Sequence, residues 1–198
     1  MLINWRCEIL NKNRIEAFTD AIVAIAATIM VLELHVPKYN DLAGLIEEWP
    51  VFLAYIISFA LIYIVWYNHH NLFQKAKNIS TSTYLINGVW LFLLTLIPFF
   101  TRWVGNAPES TLPEFLYALD LLLWSLLFQV MDHQIIKDNP DAPTDPTNTV
   151  RYRTFLYLGL VLALIISFIW PLGCLIILVI SIILLGIGVF VMPRETKK

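Results

Sequence analysis

Residues 14–36 read RIEAFTDAIVAIAATIMVLELHV, and this segment decides the fold. The run from Ala21 to Leu32 is apolar except for the hydroxyl of Thr28. A helix needs about 20 mostly apolar residues to cross the core of a bilayer, so residues 18–36 predict a membrane-spanning helix. Charged and polar residues crowd the stretch from Arg14 to Asp20, which a helix that meets only lipid does not normally carry. The segment therefore predicts a membrane helix with a role beyond anchoring.

Five further apolar segments make the whole chain a membrane protein. Of its 198 residues, 59% are hydrophobic and 14% are charged, whereas soluble domains carry roughly 25% charged residues. The segments are long enough, or nearly so, to cross a bilayer; they cover residues 51–71, 84–103, 115–131, 155–170 and 172–192. We therefore predict an all-α, polytopic membrane protein with six transmembrane helices, in which residues 1–198 form a single unit.

The basic residues predict the orientation of these spans. With six spans both termini lie on one side, and that side carries 11 of the 13 Lys and Arg residues. The excess of positive charge predicts cytoplasmic termini in a multi-pass protein of the cell membrane. The two basic residues on the other side are Lys38 and Arg102.

Four polar side chains fall at the cytoplasmic ends of the first three spans: Arg14, Trp66, His69 and Asn87. Arginine offers only donors, histidine and asparagine offer acceptors, and tryptophan offers a donor and a ring face. These groups predict a hydrogen-bond network that ties the three helices together. The sequence leaves open whether the network only holds the helices or also takes part in the function.

Titratable residues inside the spans allow a second interpretation. Asp120 lies within the first two turns of the fourth span. It could be a buried acid that is protonated or paired, an exposed acid that the helix dipole favours, or part of a proton relay with His69. The adjacent His69 and His70 point about 100° apart on a helix, so they are a poor pair for one metal ion. Cys7 and Cys174 lie in very different settings, which predicts neither a disulfide nor a cysteine metal site.

The first span has two contrasting stripes at helical spacing. One stripe is aliphatic, the other is smaller and partly polar, and Thr28 flanks both. The aliphatic stripe is Ile25, Ile29, Leu32 and Val36, and the other is Asp20, Ala24, Ala27 and Val31. Periodicity alone leaves open whether the aliphatic stripe faces lipid, a partner helix or a pore. Glu33 and the pair Glu47-Glu48 at the far end could concentrate cations at a mouth or be solvated loop charges.

The pattern Arg14-x-x-x-Phe18-Thr19-Asp20 resembles the signature of the transmembrane protein 175 family of lysosomal and prokaryotic potassium channels, in which a serine usually occupies the position of Thr19. The pattern Trp66-x-x-His69-His70-x-x-Phe73 resembles the end of the family's second helix, and Asn87 with Pro98-Phe99 resembles the third. These matches cover about the first half of the chain.

The resemblance implies a homotetramer of six-span units with cytoplasmic termini, in which the first helices of four subunits surround a pore. Ile25 would form the narrowest ring, Ile29 and Leu32 would lie outward of it, and Thr28 would be the polar pore-facing hydroxyl, so that permeant K⁺ passes near Ile25 and Thr28. The implied network that holds the pore helix comprises Arg14, Phe18, Asp20, Trp66, His69 and Asn87. Its partners would be lipid, potassium ions and other copies of the chain, with no nucleic acid and no resident cofactor or metal.

A mechanism follows from the residues that the chain lacks. It has no Thr-Val-Gly-Tyr-Gly loop, so no filter of carbonyl groups strips the ion of water. A ring of apolar side chains can instead gate by dewetting, which predicts a modest preference for K⁺ over Na⁺. The alternatives are a proton-coupled transporter or proton leak that uses Asp120 and His69, an accessory membrane subunit, and an enzyme. No His-Glu-x-x-His, Gly-x-Ser-x-Gly or Gly-rich phosphate loop is present, so the prediction is a channel rather than an enzyme.

Overall fold

Seven α-helices make up the fold in a computed structural model, which describes residues 11–141 and 150–190. No β-strand occurs within these two ranges, so the prediction of an all-α fold is confirmed. The helices are α1 (Lys12–Leu32), α2 (Leu42–Glu47), α3 (Trp49–Lys75), α4 (Thr81–Asn106), α5 (Thr111–Asp138), α6 (Val150–Ile166) and α7 (Pro171–Phe190).

Each predicted span corresponds to one helix, but several boundaries differ. Among the described residues, α1, α3, α4, α5 and α7 are long and apolar enough to cross a membrane, and α6 is shorter. Helix α1 ends at Leu32 rather than at Val36, because polar residues and Pro37 follow, and a residue before proline disfavours the helical conformation. Helix α6 ends at Ile166 rather than at Trp170, and the N–H groups of Phe168 and Ile169 form tighter turn bonds to the carbonyls three residues before them. Residues 191–192 of the last predicted span lie outside the described residues.

The short helix α2 was not predicted from the sequence. Asp41 is its N-cap, and the Asp41 carboxylate accepts a hydrogen bond from the Gly44 N–H at 2.8 Å. Helix α2 joins the first two long helices at one end of the bundle. We call this the distal end, where α1 ends and α3 begins, and we call the opposite end, where α1 begins and α3 ends, the proximal end.

Helix α1 lies at one side of the bundle. It packs against α3 and α4, while α5 and α7 pack on the other side of that pair and α6 packs on α5 and α7. Helices α3 and α4 approach closely at the distal end, where a Cβ on Gly105 would lie 2.8 Å from the Cα of Val51. An aromatic stack in the proximal half joins α3, α4 and α5, with ring centroids 5.1 Å apart for His69 and Trp90 and 5.2 Å apart for Trp90 and Trp124. Helices α3 and α4 together form the surface against which α1 packs.

Candidate functional site

One face of α1 is buried against its own subunit. The buried residues follow each other at spacings of three or four: Ile15, Thr19, Val23, Ala26 and Met30. Only 28% of the residues in the apolar stretch of α1 are buried, against 39–50% in the other four long helices. Most of the surface of α1 is therefore uncovered within a single chain.

The uncovered face of α1 carries three of the residues that the sequence analysis singled out for a pore. Residues two positions apart in a helix point about 200° apart, so Thr28 points away from the buried residues Ala26 and Met30. By the same count Ile25 lies opposite Val23, and Leu32 lies opposite Met30. The exposed fractions of Ile25 and Leu32 are 57% and 80%. These side chains form a mostly aliphatic ladder on an unpartnered helix face.

Two details separate the members of this ladder. Ile29 lies on the flank of the face, about 100° from the buried Met30, and is less exposed than Ile25. The hydroxyl of Thr28 lies within hydrogen-bond distance of the carbonyls of Ala24 (3.0 Å) and Ile25 (2.8 Å) in its own helix. Because the proton of Thr28 is used inside the helix, its oxygen can offer a lone pair to a cation on the open side.

The proximal half of α1 is attached to α4 through a buried polar bridge. The Nδ2 group of Asn87 donates to the Thr19 hydroxyl at 3.0 Å, and Oδ1 of Asn87 lies 3.1 Å from Nε2 of His69. Since the amide oxygen can only accept, this assignment of the amide places a proton on Nε2 of His69. All three side chains are buried. The bridge thus joins α1, α4 and α3 without leaving its amide unpaired.

Two further bonds attach α1 to α3. The indole Nε1–H of Trp66 donates to a carboxylate oxygen of Asp20 at 2.7 Å. The ammonium group of Lys12 donates to the backbone carbonyls of Phe73 (3.0 Å) and Ala76 (3.2 Å), where α3 ends. A cation at the end of a helix satisfies carbonyls that lack helical partners and complements the helix dipole.

Arg14 and Phe18 do not join these contacts. Among the described residues no hydrogen bond or ion pair links Arg14 to Trp66, His69 or Asn87. Both residues instead line a largely apolar groove of about 710 Å³ between α1 and α4, together with residues of α4 such as Gly88 and Phe92. The structure therefore brings together His69 with Asn87 and Trp66 with Asp20, and places Arg14 and Phe18 beside them on the open flank.

The distal end of α1 is held by an ion pair. Arg102 of α4 lies 2.8 Å from the carboxylate of Glu33, which follows the last residue of α1. The charge of Glu33 is thus compensated by Arg102, which favours a structural role over that of a free acidic mouth. The sequence did not predict that Lys12, Thr19 and Arg102 attach α1 to its neighbours, because their partners lie far away along the chain.

The two residues of the proton-relay alternative lie apart. Ser58 of α3 and Tyr117 of α5 are in contact, and both helices run from there toward the proximal end. His69 lies eleven residues beyond Ser58, whereas Asp120 lies three residues beyond Tyr117. The difference of eight residues separates His69 from Asp120 by about 12 Å along the bundle. Both are buried, and one oxygen of Asp120 has no hydrogen-bond partner among the described residues. Within that part of the chain no three His, Cys, Asp or Glu residues are arranged to hold a metal ion.

Comparisons with known proteins place the sequence and the fold beside those of one family of channels. Residues 14–98 match the sequence profile of the family described as "Endosomal/lysosomal potassium channel TMEM175". A potassium channel of Chryseobacterium sp. (strain P1-3) is 40% identical over 128 residues, which cover 65% of this chain and 67% of the relative. An endosomal/lysosomal proton channel TMEM175 of Bos taurus is 35% identical over 46% of this chain and 22% of its own length. The crystal structure of a lysosomal potassium-selective channel TMEM175 homologue from Chamaesiphon minutus aligns with a TM-score of 0.72 at 27% identity, over 89% of this chain and 97% of that one.

Proposed function

Because this chain belongs to the TMEM175 family of channels, we propose that it is a potassium channel in which four copies surround a pore lined by α1. The observation that carries the proposal is the uncovered face of α1. A helix whose open face bears a ladder of Ile25, Thr28 and Leu32 fits a symmetry axis, where other copies cover its remaining surface. The family is one of channels and not of enzymes, and we propose no resident cofactor.

The proposed constriction consists of rings of aliphatic side chains. Four copies of Ile25 form the narrowest ring, and Leu32 and Ile29 form wider rings on its distal side. Such a ring gates by dewetting, and it opposes the passage of the more strongly hydrated Na⁺ more than that of K⁺. Permeant K⁺ then passes close to Ile25 and to the Thr28 oxygen on the open face of α1. Because the chain has no carbonyl filter that replaces the water around the ion, the preference for K⁺ is modest.

The proximal contacts keep the pore helix at the correct rotation. Thr19, Asp20 and Lys12 each bind a partner on α3 or α4, so α1 cannot turn about its axis without breaking several bonds at once. We place Arg14 and Phe18 beside this attachment, on the flank that meets a neighbouring copy. The channel lies in the plasma membrane, and the bilayer surrounds its outer helices. The proximal end, with both termini, faces the cytoplasm, because most of the basic residues lie at that end.

Reconstitution into liposomes tests the proposal. Purified protein should carry K⁺ down its gradient without a coupled solute, with a reversal potential that reports a preference for K⁺ over Na⁺. The variant Ile25→Ala should raise the flux and lower the preference. The matched control is Ile183→Ala on α7, since Ile183 is similarly exposed (55%) and α7 packs against α3, α5 and α6. Equal reversal potentials in the two variants would refute the ring, and light scattering should give the mass of four chains.

A second candidate is proton conduction, because a relative is named a proton channel. A pH-sensitive dye inside the same liposomes measures it. If the proton path uses Asp120 and His69, then Asp120→Asn should abolish proton flux and leave K⁺ flux in place. Proton flux that rises with Ile25→Ala, as K⁺ flux should, and does not change with Asp120→Asn would place protons in the same pore as K⁺.

A further inference from the structure

Three buried hydroxyls form a chain through the distal half of the bundle. Ser58 of α3 lies 2.7 Å from the hydroxyl of Tyr117 on α5 and 2.6 Å from the hydroxyl of Thr101 on α4. All three side chains are buried. Apolar residues in this space would allow several packing arrangements. Buried hydroxyls need hydrogen-bond partners, so this chain specifies one arrangement of the three helices.

The direction of this chain follows from counting protons. Thr101 Oγ1 lies 2.7 Å from the carbonyl oxygen of Ile97, which can only accept, so Thr101 donates its single proton there. Ser58 must then donate to Thr101, and Tyr117 must donate to Ser58. The chain therefore runs from α5 through α3 to the backbone of α4, and removal of the Tyr117 hydroxyl leaves Ser58 without its donor.

The chain ends where α4 is interrupted. Pro98 lies inside α4 and has no N–H, so the carbonyl four residues before it lacks its helical partner. The bond from Thr101 to Ile97 is of the type that often bends helices. The part of α4 beyond Pro98, residues 99–106, is thus joined to the rest of the helix by a weakened turn, and the hydroxyl chain holds it in place.

The same part of α4 touches the distal end of α1. The Oγ1 atom of Thr101 lies 4.0 Å from the Sδ atom of Met30, and Arg102 forms the ion pair with Glu33. Met30 and Glu33 lie on either side of Leu32, which is more exposed than Ile25. A shift of residues 99–106 would therefore shift the distal ring, although none of the three hydroxyls lies on the exposed face of α1.

We propose that Tyr117, Ser58 and Thr101 are positioning residues for the distal half of the pore helix. They fix the segment of α4 beyond Pro98, and that segment fixes Met30 and Glu33. The inference rests on the proposed function for its consequence in the pore, whereas the mechanical link stands on the contacts alone.

The test compares variants that remove or keep one hydroxyl. Tyr117→Phe and Thr101→Val should each change the K⁺/Na⁺ permeability ratio by about twofold or more, the smallest effect expected of such coupling. Thr101→Ser, which keeps the hydroxyl, should have the wild-type permeability ratio. The matched control is Tyr157→Phe on α6, because the Tyr157 hydroxyl donates to the Ser125 carbonyl of α5 at 3.3 Å and α6 packs on α5 and α7.

Two further measurements separate positioning from a general loss of stability. Amide exchange of residues 27–34 should quicken in Tyr117→Phe and not in Tyr157→Phe. The effects of Tyr117→Phe and Arg102→Gln on the permeability ratio should be non-additive, since both act through residues 99–106. Unchanged exchange at residues 27–34 together with an unchanged ratio in Tyr117→Phe would overturn the inference. A wild-type protein without K⁺ flux would overturn the channel proposal, and exchange alone would then decide the positioning role.

Discussion

One substitution made at two places on α1 separates the face that holds the helix from the face that is proposed to meet the ion. Thr19 and Thr28 lie nine residues apart, which is about 180° around a helix. Replacing either by valine keeps the shape and removes the hydroxyl. Thr19→Val should therefore act on stability, and Thr28→Val should act on permeation.

The size of the first effect comes from the buried bridge. Thr19 accepts the 3.0 Å hydrogen bond from Nδ2 of Asn87, and both side chains are buried. Thr19→Val leaves that N–H unpaired, at a cost of about 1–3 kcal/mol in the free energy of unfolding. For a protein of this length the melting temperature should fall by roughly 2–12 °C. The exposed Thr28 hydroxyl bonds only to its own helix, so Thr28→Val should change the stability by less than about 0.5 kcal/mol.

Thermal unfolding in detergent and ion flux in liposomes, measured on the same preparations, provide the assay. Thr28→Val should keep the melting temperature and change the K⁺/Na⁺ permeability ratio, because it removes the polar oxygen from the proposed pore face. In an Asn87→Ala background, Thr19→Val should cost little more, since its partner is already gone. Equal losses of stability at Thr19 and Thr28, or an additive loss with Asn87→Ala, would refute the assignment of the two faces.

Other contacts of α1 give outcomes of the same kind. Ile25→Asn should raise K⁺ flux and lower selectivity more than Ile25→Ala, because a polar ring stays wet, and a flux equal to wild type would contradict the proposed gate. Trp66→Phe removes the donor to Asp20 at a partly exposed site and should lower the unfolding free energy by about 0.5–1.5 kcal/mol, with Asp20→Asn as the test of whether charge adds to that bond. Lys12→Met keeps the aliphatic stem and removes the cap of α3, so amide exchange should quicken at residues 72–76, and unchanged exchange there would show that the ammonium group is dispensable.

The sequence predicts the helical class and the number of apolar segments because both depend on local composition. The run from Ala21 to Leu32 is long and apolar, so its helix is unambiguous. The ends are harder, since Glu33 to Val36 could extend the helix by composition alone and the turn before Pro37 decides otherwise. The short α2 depends on one cap, Asp41, and six residues carry too little periodicity to reveal it.

Residue depth predicts which side chains can meet, but not which of them do. His69 and Asn87 fall at one level and bind each other, while Arg14 falls at the same level and turns toward the groove. The choice depends on the rotation of each helix, and the packing of the whole bundle sets that rotation. For the same reason Glu33 reads as a free acid in the sequence, although its partner Arg102 lies 69 positions further along the chain.

Helix α6 is the long helix that lies farthest from α1 in the order of packing, since α1 packs against α3 and α4 and α6 packs on α5 and α7. The stretch that matches the family profile ends at Pro98, and it contains α3 and the part of α4 up to Pro98. Helices α5 and α7 each pack against α3 as well as against α6, whereas α6 carries a row of exposed apolar side chains that includes Phe155, Leu158 and Ile165. We therefore expect substitutions on the exposed face of α6 to adapt this chain to membranes of different thickness with little effect on ion passage. A change at Tyr117 on α5, in contrast, should reach α1 through Ser58 and Thr101.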